Sequence, residues 1–151
     1  MTAMVSLRTM IARALRPATT AYAHCDIPCG IYDPHEAQLA AESVEKMTQM
    51  ITDLPAPAAG DGAALAHYTM QVARFTAVKE QHAERVKHEV RIIWGDYFTP
   101  ERMAATPDLH EKVWNIMKVA SAARQGVNLE AAKNLRTAVD EFADIFWATK
   151  K

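Results

Sequence analysis

The feature that most constrains this chain is the rhythm of its apolar residues between positions 63 and 95. Tyr68, Val72, Phe75, His82, Val86, Val90 and Ile93 recur in steps of three, four or seven, the spacing that gathers side chains onto one face of an α-helix. A strand would need alternation, and no stretch of comparable length alternates. The segment therefore reads as one long amphipathic helix, and its neighbours are punctuated in the same way. Asp33 is placed to cap, Pro34 to occupy the first helical position and Glu36 to close a capping box, for a helix over about 34–53. The stretch 54-LPAPAAGDG-62 holds two prolines and two glycines and reads as a loop. Pro100 and Pro107 break the pattern again. Thr106-Pro107 then reads as cap and first position of a third helix, which runs to about Gln125 and is ended by Gly126. A fourth begins near Asn128 and repeats Leu135, Val139, Phe142 and Phe146. Four amphipathic helices with short loops predict an all-α, antiparallel four-helix bundle.

With 151 residues, half of them apolar, the chain can build one hydrophobic core without disulfide staples. Its charge excludes some partners. Residues 1–23 carry Arg8, Arg13 and Arg16 and no acid, leaving a net −4 on the remainder. No segment presents the concentrated basic surface that nucleic acid demands. No run of 18 apolar residues is present to span a membrane. Segment 1–23, Ala- and Thr-rich with arginines interrupting its apolar positions, reads as a cleavable leader, with Ala21-Tyr22-Ala23 offering a processing peptidase small residues before His24. The alternative is an N-terminal helix that is frayed or docks on a partner. The domain proper is then 24–151.

Little in the helices suggests chemistry. No Glu is followed three residues later by His, so the paired motif of a carboxylate-bridged di-iron bundle is missing. His67, His82, His88 and His110 lack ligand spacing and read as structural or solvent-facing, and Met47, Met50 and Met70 as packing.

The chemistry concentrates in 24-HCDIPCGIYDP-34, which holds the only two cysteines, Cys25 and Cys29. Two thiols are too few for a disulfide framework, and in a reducing compartment close thiols more often bind metal or do redox work. Zinc would want four side-chain ligands, more than this loop supplies. Cleavage after Ala23 changes the donor set, because it frees the α-amine of His24. The loop then offers that amine, the amide nitrogen of Cys25 and two thiolates. Two nitrogens and two thiolates in a plane suit a square-planar ion, nickel(II) first and copper(II) second. The His24 imidazole is left as an axial ligand. Pro28 restricts the path between the cysteines, and could do so as a cis bond, while Gly30 permits a bend that a Cβ resists. Thiolate and amidate donors stabilise Ni(III), which makes the site a one-electron shuttle, and superoxide is a small molecule able to give or take one electron.

The run His24-Cys25-Asp26-Ile27-Pro28-Cys29-Gly30-Ile31-Tyr32 resembles the hook motif of the nickel-containing superoxide dismutases, His-Cys-x-x-Pro-Cys-Gly-x-Tyr. The resemblance continues through 78-VKEQHAERVKHEV-90, 94-WGDYF-98 and 145-IFWATKK-151, so it covers 24–151. It implies a homohexamer of right-handed four-helix subunits with one nickel ion each, disproportionating superoxide, and a pro-segment over 1–23. By motif position Asp26 and Tyr32 shape the substrate pocket and Tyr97 pairs with Tyr32. Alternatively Tyr32 anchors the loop and Asp26 is an Asx-turn residue. The resemblance departs at two positions: where family members carry a carboxylate and an arginine supporting the axial imidazole, this chain has Ala40 and His82. Glu36, one turn before Ala40, is a candidate replacement. Two other classes compete: a nickel or copper trafficking or sensing module using the same hook without turnover, and a helical interaction protein with a local disulfide. A cytoplasmic location is expected, or an organelle if the leader is an address.

Overall fold

In the computed structural model, residues 30–150 are described. Five helices account for most of them: α1 His35–Thr52, α2 Gly62–Ile92, α3 Pro100–Met103, α4 Leu109–Gln125 and α5 Leu129–Ala148. A π turn, Ile93–Tyr97, extends α2. The four long helices form the expected bundle, α1 packing on α2 and α5, and α4 on α5 and α2.

Small residues set the spacing of α1. Ala37, Ala40, Ala41 and Val44 are all buried, so its backbone approaches α2 closely. The bulk of the core comes from the other side: Leu135, Val139, Phe142 and Phe146 of α5 are fully buried, each large side chain contributing about 1.5–3 kcal/mol. Thr48 is tolerated in this apolar seam because its hydroxyl donates to Val44 O at 2.8 Å.

Lys79 is the unexpected core residue. It is 2% exposed, and its ammonium donates to the carbonyls of Ala123 and Arg124, each at 3.0 Å, and to that of Gly126. The last turn of a helix leaves carbonyls without intrahelical partners. Lys79 supplies the donors from a neighbouring helix. Burial pushes its pKa down.

Helix boundaries depart from the expected ones in three places. The capping box at Asp33 does not form. Pro34 takes the cap position without a side-chain bond, Asp33 Oδ1 accepts from His35 N at 2.8 Å, and Glu36 turns across to Arg85 instead. Thr106-Pro107 does not open the third long helix, which starts at Leu109 after a turn that returns Leu109 N to Thr106 O. The single-turn helix α3, capped by Thr99 with Pro100 at its first position, fills part of the expected break. Elsewhere the punctuation holds: Asn128 Oδ1 accepts from Ala131 N at 3.0 Å to start α5, and Gly126 ends α4. Among the methionines, Met70 is 49% exposed rather than packed.

Candidate metal centre and its surroundings

His24, Cys25, Asp26, Pro28 and Cys29 lie outside the described residues. The chain enters the structure at Gly30, whose φ of +64° is the left-handed conformation that only glycine adopts without strain. This is the bend expected of it. Two residues later Tyr32 is 9% exposed and meets Tyr97, the ring centroids 5.6 Å apart at 53°.

Tyr97 reaches that position through the π turn. The wider turn at Ile93–Tyr97 shifts the register of the helix end, and π turns of this kind recur at functional sites. Tyr97 is then fixed on every side. Its ring lies 4.6 Å from that of Phe146 and 5.3 Å from that of Phe98. The guanidinium of Arg102 and the ammonium of Lys150 lie 4.3 and 4.8 Å from the ring centroid, and Arg102 also donates to Tyr97 O at 2.6 Å. The hydroxyls of Tyr97 and Thr149 are 2.7 Å apart. Thr149 spends its own proton on Phe146 O at 2.6 Å, so Tyr97 is the donor. The C-terminal end of the chain thus holds Tyr97, and Tyr97 backs Tyr32. Arg102 and Lys150 also put two positive charges beside Tyr97, which raises the local potential for an anion.

Glu36, Ala40 and His82 come together in a second place, a cleft of about 330 Å³ between α1 and α2 whose lining also includes Leu39, Gln81 and Arg85. Arg85 Nη2 is 3.0 Å from Glu36 Oε2, and its Nε is 2.9 Å from Glu89, a carboxylate only 1% exposed. Neither Arg85 nor Glu89 stands out in the sequence. Their single signal is the i,i+4 spacing that lets one pair with the other.

The other histidines have ordinary roles: His67 and His88 are exposed, and His110 Nδ1 accepts from Trp94 Nε1 at 2.9 Å. Among the described residues no group of three or more His, Cys, Asp or Glu converges to hold a metal. The donors that fit nickel are those of the hook: two thiolates, an imidazole and, after cleavage, an amine and an adjacent amide.

Comparison with known proteins agrees with this donor chemistry. The family model of nickel-containing superoxide dismutase matches residues 19–150. Superoxide dismutase [Ni] of Streptomyces coelicolor is 35% identical over 142 residues, which span 94% of this chain and 99% of that one. The protein of the same name from Streptomyces seoulensis is 35% identical over the same shares. The native 1.30 Å structure of nickel superoxide dismutase superposes with a TM-score of 0.72 at 35% identity, covering 85% of this chain and all of that one. With the match running from the cysteine loop to the end of α5, the chain belongs to the nickel-containing superoxide dismutases.

Proposed function

We propose that this chain is a nickel-dependent superoxide dismutase whose metal is held by a hook beginning at His24. One superoxide is oxidised to oxygen, and a second takes up one electron and two protons to give hydrogen peroxide. The observation that carries the reading is the family match over 19–150, which takes in both the thiolate hook and the helical body.

Bound nickel supplies the one-electron exchange between its +2 and +3 states, with Cys25 and Cys29 as the thiolate ligands, His24 and the Cys25 amide as the nitrogen ligands and one metal per subunit. The rest falls to the chain's other residues. Tyr32, held against Tyr97, presents a phenol that hydrogen-bonds a dioxygen species or a water without ligating metal. Asp26 shapes the same pocket from the hook, and Pro28 limits how the loop returns between its cysteines. Arg102 and Lys150 favour approach of an anion.

Cleavage after Ala23 by a processing peptidase is part of the proposal. The solved native chain is matched in full by 85% of this one, the share that residues 24–151 make up, whereas the relatives above match 94%. A homohexamer, the assembly that the motif resemblance implies, is part of the proposal, and the exposed Leu65, Met70 and Val78 on α2 offer apolar surface for contacts between copies. A cytoplasmic location, or an organelle if segment 1–23 is also an address, belongs to the same proposal. No described helix is long and apolar enough to cross a membrane.

The test is nickel content and superoxide decay in Cys25→Ser and Cys29→Ser. A serine hydroxyl is a hard donor that does not ionise at neutral pH, so turnover is expected to vanish with far-UV helicity intact. Full turnover in either variant would refute the hook, and a metal-trafficking role would follow if the wild-type protein bound nickel without turnover.

A further inference from the structure

We propose that Thr149 is a positioning residue that sets the polarity of the tyrosine pair: by taking the phenol proton of Tyr97, it leaves Tyr97 only as a hydrogen-bond acceptor toward an oxygen species beside Tyr32. The inference rests on the proposed function, in which the tyrosine pair lines the substrate pocket. It adds the direction of one proton and the residue that fixes it.

A hydroxyl has one proton to give and lone pairs with which to receive. Thr149 stands at the C-terminal cap of α5, where the last carbonyls lack partners within the helix. Its Oγ1 lies 2.6 Å from Phe146 O. A carbonyl only accepts, so the threonine proton is committed there. Thr149 N reaches the same carbonyl at 3.1 Å, which ties the residue to the helix end by both its amide and its hydroxyl. The Tyr97 hydroxyl is 2.7 Å from that Oγ1. Donation therefore runs from Tyr97 through Thr149 to Phe146 O.

The other groups packed on the Tyr97 ring are poor substitutes. Arg102, from α3, and Lys150, from the chain beyond α5, lie over the ring and carry donors only. Phe98 and Phe146 present apolar rings. Of these neighbours only Tyr32 can also accept a proton, and the bond to Thr149 takes that proton away from it. Any proton that the pair gives to a bound oxygen species must then come from Tyr32. Tyr97 serves only a species that brings its own proton, as water or hydrogen peroxide does. Bare superoxide has none, so the pair distinguishes the protonated product from the anionic substrate.

The experiment reads the proton and the reaction separately. In ultraviolet resonance Raman spectra the tyrosine doublet distinguishes a phenol that donates a hydrogen bond from one that accepts, and the Tyr97 contribution is the difference from Tyr97→Phe in the full-length chain. Turnover is measured on nickel-loaded protein beginning at His24. Thr149→Val keeps the shape of the side chain and removes the hydroxyl, while Phe146 O keeps the backbone amide of position 149. The donor signature of Tyr97 should be lost, and turnover per bound nickel should fall about three- to tenfold, the weight of one hydrogen bond, with far-UV circular dichroism unchanged. Thr149→Ala should match Thr149→Val, and Thr149→Ser should restore both readouts. An acceptor signature for Tyr97 in the unaltered chain, or wild-type turnover in Thr149→Val and Thr149→Ala, would overturn the proposal. Absence of turnover in unaltered protein beginning at His24 would overturn the proposed function and the role of Thr149 in it, and the Raman signature would still decide which way the Tyr97 proton points.

Discussion

The two halves of α2 belong to one uninterrupted helix and live in different surroundings. From Lys79 to Ile93 it buries a residue at nearly every turn: Lys79, Ala83, Val86, Glu89, Val90 and Ile93. From Gly62 to Val78 it buries none, and Leu65, Met70 and Val78 stand exposed. The apolar stripe nevertheless runs through both halves, with Tyr68, Val72 and Phe75 continuing the rhythm of Val86 and Val90. The second half is explained by the subunit itself, since it packs against α1 and α4 and ends in the π turn that carries Tyr97 to Tyr32. The first half leaves Leu65, Met70 and Val78 exposed and Tyr68, Val72 and Phe75 only half-buried, apolar surface available to other copies.

The sharpest way to break this comparison is to truncate matching positions in the two halves. Ile93→Ala removes a fully buried side chain beside the tyrosine pair and is expected to cost about 2–5 kcal/mol in denaturant unfolding. A change below about 1 kcal/mol would mean that the second half is not packed as described. Lys79→Met is expected to cost about 1.5–3 kcal/mol, because three carbonyls at the end of α4 lose a charged donor. A neutral outcome would show that water replaces the ammonium. The smallest folding effect belongs to Leu65→Ser, expected within about 0.5 kcal/mol for the isolated subunit, while sedimentation should show a shift from the proposed hexamer to smaller species. An unchanged sedimentation coefficient would assign Leu65 to an ordinary exposed surface.

What was legible in the sequence follows the same division. Periodicity found all four long helices because each buries a continuous stripe, and the cap at Asn128 was legible because a side chain that satisfies its own backbone is a local device. The family was legible for the same reason, the motif that carries it lying within residues 24–32. Lys79 and Glu89 were missed because a charged residue in an apolar stripe reads as solvent-facing until its partners are known. The partners of Lys79 lie some 45 residues away on another helix. Glu36 was misread for a related reason: three residues after Asp33 it fits a local capping box, and only the approach of α2 offers it Arg85 instead. The π turn left no clear mark, since Ile93–Tyr97 contains nothing that an α-helix would refuse except Gly95.

Under the proposed hook, the metal centre exists only when the chain begins at His24. In the full-length chain the nitrogen of His24 is a peptide amide; after cleavage it is an amine that loses its proton readily near neutral pH and binds metal. The decisive measurement is nickel content and superoxide decay, side by side, for protein beginning at His24 and for protein retaining residues 1–23. Nickel at one per subunit with rapid decay in the first, and neither in the second, is the expected result; equal nickel and equal turnover in both would contradict it.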